Sequence, residues 1–140
     1  VKTGFTYFAE KEVLFEKITH CMENGNGDIA QRLCNGIGFG STEFHVLRPI
    51  PGQSNPYWIY SLTSFPQFRQ DAASNMTGSA GQRRVPASFL ETYKVSAPPI
   101  ALQDQFALFV KQIQRMKAKA HNSLEKLDVL KNSLMQQYFG

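Results

Sequence analysis

PIALQDQFALFVKQIQRMKAKAHNSLEKLDVLKNSLMQQYF, residues Pro99–Phe139, is the stretch on which the fold turns. It holds no glycine and, past Pro99, no proline, so nothing in it obliges a helix to break. Its apolar residues Leu102, Phe106, Phe109, Val110, Ile113 and Met116, then Leu124, Leu127, Leu130 and Leu134, fall at helical spacing and keep one stripe facing one way. At about 1.5 Å per residue, roughly 40 residues make a rod ~60 Å long. An ordinary globular helix has only about 11–12 residues. A rod with a single apolar seam, beside so small a remainder, is expected to find part of its partner surface on another chain or subunit. Leu124, Leu127, Leu130 and Leu134 are the helix-pairing candidates.

The remaining residues read as a compact unit mounted on this rod. A length of 140 residues gives room for one domain with a core of ordinary size. With 42 % apolar and 19 % charged residues the composition is that of a soluble globular protein, not a disordered one. No apolar run approaches the ~20 residues that span a bilayer. The opening Val1-Lys2-Thr3-Gly4-Phe5 has neither a starting Met nor the look of a signal peptide, so a cytoplasmic fragment is expected. Cys21 and Cys34 read as two reduced thiols. A zinc site from them with His20 and His45 lacks any short ligand pair to anchor it.

The net charge is +4. The rod carries Lys111, Arg115, Lys117, Lys119, Lys126 and Lys131 against Asp104, Glu125 and Asp128, which is six minus three, or +3. The first 99 residues therefore hold nine basic and eight acidic groups, only +1. A mild excess of this kind is weak evidence for a nucleic-acid partner, and placement matters more than the sum.

Taken in order, Glu12–Thr19 reads as a strand, with Lys17 where it would emerge. Glu23-Asn24-Gly25-Asn26-Gly27 reads as a turn on the strength of Asn-Gly, with a returning strand over Ile29–Leu33. Asn35–Thr42 reads as a glycine-rich loop, and Glu43–Arg48 as a strand closed by Pro49-Ile50-Pro51-Gly52. Asn55-Pro56 starts a helix over Tyr57–Ser64, and Pro66 starts another, to about Ala73. Thr77–Arg84 is a small-residue loop ending in Arg83 and Arg84, with no acid between Asp71 and Glu91 to compensate them locally. Pro86–Tyr93 suggests a short helix, and Pro98-Pro99 leads into the rod.

Few of these features carry chemistry. Gly36, Gly38 and Gly40, followed by Ser41 and Thr42, lack the lysine of a phosphate-binding loop and run into a strand, not a helix. They fit a turn needing positive φ, or backbone amides and hydroxyls that hold DNA phosphates. Asn55-Pro56-Tyr57-Trp58 is a partial match to the Asn-Pro-Pro-Tyr of adenine methyltransferases, but a helix N-terminus explains it better. His20, His45 and His121 are scattered, and no serine or cysteine sits in a nucleophile context, so a stand-alone enzyme is not expected. The Gly78–Arg84 loop is sharper. Arginine forks match a guanine edge or a phosphate, and the bland alternative is a solvated loop whose arginines pair with Glu91 or Asp71.

The blocks Phe15-x-Lys17-Ile18-Thr19-x-Cys21-Met22-Glu23-Asn24-Gly25, Asn35–Pro49, Thr77–Pro86, Phe89-Leu90 and Pro98-Pro99-Ile100-x-Leu102-Gln103-x-Gln105, in this order, resemble the target-recognition domain of type I restriction–modification specificity subunits. The resemblance covers essentially the whole chain. It implies a subunit that does no chemistry and uses no cofactor of its own. Two such domains each read one half of a split DNA site, and two long helices pair antiparallel to set their separation. Methyltransferase subunits, which carry S-adenosylmethionine, dock on it, and restriction subunits join for cleavage. Against that pattern only one domain and one helix are present here, and the domain starts late. Lys11-Glu12 stands where Gly-Asp is usual, His20 where Pro is, and Asn26 where Lys is.

The expected fold is α+β: a small, curved, mostly antiparallel sheet with short helices over residues 1–98, then one long, coiled-coil-like helix over 99–140. The expected function is recognition of double-stranded DNA at one half of a bipartite site. Lys17, Asn24, Ser41, Thr42, Arg83 and Arg84 are the DNA-binding candidates, with no catalytic residue and no metal. Expected partners are duplex DNA, methyltransferase and restriction subunits, and a second half-subunit or a second copy through the long helix, with no membrane. The alternative is a truncated scaffold that docks methyltransferase subunits or self-associates without specific DNA binding.

Overall fold

The structure, a computed structural model, describes residues 4–79 and 81–140. Five short strands come first: β1 (Thr6–Ala9), β2 (Val13–Glu16), β3 (Gly27–Ile29), β4 (Ile37–Gly40) and β5 (Phe44–Leu47). Helix α1 (Thr19–Glu23) lies between β2 and β3. Helices α2 (Pro56–Ser64), α3 (Pro66–Ser74), α4 (Ala87–Thr92) and α5 (Ile100–Phe139) follow the strands. The class is α+β, as the residue pattern requires, and every strand pairing is antiparallel. The strands divide between two sheets, β1–β4 and β3–β2–β5. The chain falls into two units, Val1–Asp104 and Gln105–Gly140.

Three local readings are corrected. The expected strand Glu12–Thr19 is four residues long, and from Thr19 the chain turns into α1. That turn carries Met22, fully buried, into the core of Phe15, Phe68, Ala72, Met76 and Val85, where a straight strand would leave it outside. The returning strand is Gly27–Ile29, not Ile29–Leu33, and pairs Val13 with Ile29 and Phe15 with Gly27. Gly27 is needed there because a Cβ would lie 2.9 Å from the Leu14 carbonyl oxygen. Beyond it, Arg32 and Asn35 take left-handed backbone with φ of 58° and 55°, which no strand continues. The carboxylate of Glu10 holds that bend by accepting the Arg32 and Leu33 N–H groups at 2.9 and 3.0 Å.

The third correction concerns the glycine-rich loop. Ile37–Gly40 is strand β4, paired to β1 with Tyr7 opposite Phe39 and Phe8 opposite Gly38. Phe8 lies on the face shared with Gly38 and Gly40, and any Cβ at Gly38 would collide with its ring. At Gly40 a Cβ would sit 3.1 Å from Phe44 and 3.2 Å from Phe8. These two glycines therefore make room for rings, and only Gly36, with φ of 71°, serves the turn itself.

The helices follow their local signals. The Asn55 side chain accepts the Tyr57 N–H at 2.9 Å with Pro56 in the first turn, the expected cap of α2. The Asn-Pro-Tyr-Trp string is thus a helix start. α5 is one unbroken helix of 40 residues. In its first turn Gln103, 1 % exposed, donates to the carbonyls of Gln53 (3.0 Å) and Pro98 (2.8 Å) and accepts the Asn55 N–H (2.9 Å). Asn55 in turn donates to Asp104 at 2.7 Å. A buried amide with three partners costs little, while its loss would strand several backbone groups at about 1–3 kcal/mol each.

Placing valine at Gly38 should lower stability by about 1–3 kcal/mol through overpacking against Phe8. Phe8→Ala in the same chain should remove much of that added penalty, so that the double change costs less than the sum. Chemical denaturation of the four proteins measures it.

Candidate nucleic-acid interface

β2 continues past Glu16 as a template for two other segments. The Lys17 N–H donates to the Glu43 carbonyl at 3.0 Å, and the Val85 N–H donates to the Lys17 carbonyl at 2.9 Å. Ile18 then pairs antiparallel with Arg84. The N–H and hydroxyl of Thr19 both donate to the Arg83 carbonyl, at 3.1 and 3.0 Å. On the other side of the same segment Arg84 exchanges two backbone hydrogen bonds with Thr77, at 2.9 and 2.8 Å. Gly78 and Gly81 turn the loop between them with φ of 121° and 84°. At Gly78 a Cβ would lie 3.0 Å from the Gln82 carbonyl oxygen. The segment is locked from below as well: Val85 is 1 % exposed, and His45 Nε2 lies 2.7 Å from its carbonyl. A carbonyl only accepts, so that ring nitrogen carries the proton.

This stitching carries the arginines to the end of the β2–β5 pair. Arg84 meets Glu43 side-on: Nε and Nη2 each donate to one carboxylate oxygen, both at 2.8 Å, and Nη1 donates to the Gln82 carbonyl at 3.0 Å. The lack of a sequence-local acidic partner stands, but the alternative that the arginines pair with Glu91 or Asp71 is corrected for Arg84. The partner comes from 41 residues away in sequence, while Asp71 accepts from the Tyr93 hydroxyl (2.7 Å) and the Gln67 amide (2.9 Å). The hydrogen bond from Arg84 holds the Glu43 pKa below the usual carboxylate value; burial pushes it part of the way back, and the positive charges of Arg84 and Lys17 add to the lowering.

Of the six candidates, Lys17, Ser41, Thr42 and Arg84 come together here. Ser41 Oγ accepts the Glu43 N–H at 3.1 Å, which tightens the turn bearing Thr42, and both residues are exposed. Arg83 points its guanidinium elsewhere. Its Nη2 donates to the Met76 carbonyl at 2.9 Å and the Ala73 carbonyl at 3.5 Å, covering the end of α3. Asn24 belongs to another element, the C-cap of α1, where its N–H donates to the His20 carbonyl at 3.1 Å and the following Gly25 N–H donates to the Met22 carbonyl at 3.1 Å.

Two residues escaped the sequence reading. Glu43 gives no local signal, because its partner is distant in the chain. Arg69 lies on the buried face of α3, 8 % exposed, beside Phe68 and Ala72. Its guanidinium lies 4.9 Å from the centre of the Phe15 ring and donates to the carbonyls of Met22 (2.8 Å) and Asn26 (3.4 Å). Burial pushes its pKa down. Among the described residues no cluster of His, Cys, Asp or Glu could hold a metal ion, so Cys21, Cys34, His20 and His45 form no such site. No described helix is long and apolar enough to cross a membrane.

Comparison with curated proteins finds two Escherichia coli relatives. Over 99 residues, 71 % of this chain, it is 44 % identical to the specificity subunit of the type I restriction enzyme EcoEI, covering 17 % of that protein. Over 116 residues, 83 % of this chain, it is 41 % identical to the specificity subunit of the type I restriction enzyme EcoAI, covering 19 % of it. The chain thus spans under a fifth of the length of these relatives. No protein-family model matches it, and no solved structure does.

Because the folded-state pKa of Glu43 is depressed, its ion pair adds stability above the ordinary carboxylate pKa and loses it as pH falls through the lowered value. Glu43→Gln should therefore be slightly less stable than the parent at about pH 7, and the difference should shrink as pH falls through the lowered carboxylate value. Denaturation midpoints across that range report the difference.

Proposed function

The chain belongs to the type I restriction enzyme specificity subunits, and from that premise we propose that it recognises double-stranded DNA at one half of a bipartite site. The observation that carries this reading is the convergence of Lys17, Ser41, Thr42 and Arg84, from three separate segments, on one end of the β2–β5 pair. Cation, hydroxyls and an oriented guanidinium are the donors that phosphates and base edges accept. Asn24, at the C-cap of α1, and Arg83, whose guanidinium is turned to the end of α3, lie outside this group and stand as proposed DNA contacts on residue type alone. The role is recognition without catalysis. Methyltransferase and restriction subunits act where the specificity subunit directs them.

The long helix supports a second element of the reading, attachment to another half-subunit or another copy. Leu124, Leu127, Leu130 and Leu134 are 60, 61, 55 and 43 % exposed along α5 in the single chain. A row of leucines at this spacing is stabilised by burial against a second helix, at about 1.5–3 kcal/mol for each side chain fully covered.

Duplexes selected from a random library should share a short half-site. Lys17→Ala should weaken binding about equally on all of them and reduce the slope of log affinity against log salt by about 0.9. Enrichment of no sequence would overturn the reading and leave the scaffold alternative. Separately, light scattering at tens of micromolar should report a dimer, and Leu127→Glu with Leu130→Glu should convert it to a monomer that circular dichroism shows still to be helical.

A further inference from the structure

We propose that Arg84 reads a guanine in the major groove and that Glu43 is the positioning residue that aims it and cancels its charge. The inference rests on the DNA-recognition reading and names the contact within it. A guanidinium has five N–H donors. Three are used inside the protein: Nε and Nη2 on the two oxygens of Glu43, and one from Nη1 on the Gln82 carbonyl. Among the described residues, that leaves one N–H on Nη1 and one on Nη2. Two donors on the two terminal nitrogens form a fork suited to a ligand with two neighbouring acceptors.

Two chemistries offer such a pair: the N7 and O6 of guanine, and the free oxygens of a phosphate. The electrostatics favour the base. Glu43 sits 2.8 Å from the guanidinium and is held ionised, so the pair is close to neutral as a unit. A phosphate approaching it meets a carboxylate as well as a cation and gains little Coulomb attraction. A guanine edge is uncharged and needs only aimed donors. Aim is what this arrangement supplies: the Arg84 backbone is tied to Thr77 on one side and paired with Ile18 on the other, while Glu43 fixes the plane of the side chain. The side chain is 41 % exposed, enough to meet a groove without leaving its partner. Adenine and thymine each show one acceptor there, so the fork discriminates.

The test is sequence selection and quantitative binding with the full chain and three variants. The parent should demand guanine at one position, and 7-deazaguanine there, which lacks the N7 acceptor, should weaken binding. Arg84→Ala should remove the demand, a loss of about 5- to 150-fold in discrimination at that position, with the other positions unchanged. Arg84→Lys keeps the charge but not the fork and should lose the same discrimination. Glu43→Gln should relax the guanine preference while steepening the salt dependence by about one phosphate's worth, because the cation is no longer neutralised. A variant that merely misfolds would lose selection at every position. If Arg84→Ala weakens all sequences equally and flattens the salt slope, Arg84 is a phosphate clamp and the inference is wrong while the DNA reading stands. If selection and slope are both unmoved, Arg84 is outside the interface and the inference is again wrong. If the parent enriches no sequence, the functional reading has failed first.

Discussion

Residues Arg83–Val85 are held between two other segments by isolated antiparallel bridges, and the candidate interface depends on that constraint. Lys17–Thr19 supplies one side through the Val85, Ile18 and Thr19 pairings, and Thr77 supplies the other through two bonds to Arg84. Val85 seals it by entering the same core as Phe15 and Met22. Hydrogen bonds of this kind are worth only about 0.5–1.5 kcal/mol each. Their value here is positional. They convert a glycine-rich loop into a rigid mount, so that an arginine at its end has one direction instead of many. The ion pair with Glu43 then refines a geometry that the backbone has already set. An exposed pair could not impose that geometry alone, since surface ion pairs contribute little.

The same logic runs through the first unit: polar side chains fasten loops that the small sheets cannot hold. Arg69 ties α3 to the end of α1 through carbonyls at Met22 and Asn26. Glu12, 3 % exposed, accepts the Ala9 N–H and pairs with Arg48, joining the turn after β1 to the end of β5. Gln103 joins the start of α5 to the start of α2. Each is buried and bonded to at least one group from a remote part of the chain: Arg69 and Gln103 to backbone, Glu12 to the Arg48 guanidinium. Strands of three or four residues bury too little apolar surface to order such loops unaided.

That division explains what could be read in advance. α2, α3, α4 and α5 were legible because proline, an asparagine cap and helical periodicity are local signals, and local signals suffice for helices. That β2 is followed by a turn near Asn24-Gly25 and an antiparallel partner was legible, but the bounds of that partner and the helix α1 between the two were not. The burial of Met22 pulls the chain into α1, and the ring of Phe8 makes a strand of what composition marks as a loop. Both are contacts between residues far apart, and no window of sequence contains them. The site divides the same way. Arginines beside glycines drew attention to Gly78–Arg84 because of residue type alone. Glu43 could not be matched to Arg84 across 41 positions, nor could Arg83 be seen to turn toward the end of α3.

Charge sets the terms on which such a domain meets DNA. The first 99 residues carry nine bases and eight acids, and Glu43 neutralises Arg84 within the candidate surface itself. Release of counterions from phosphates, which scales with the number of cations engaged, therefore has few cations to draw on. On the proposed reading, a domain so balanced gains little from general attraction to duplex, and discrimination between sequences comes from directed hydrogen bonds. Spending a carboxylate to orient one guanidinium is consistent with that bias: general attraction is given up for direction. If a second reader is joined through the long helix, as proposed, the affinity is recovered, because two modest contacts joined together act as one strong one.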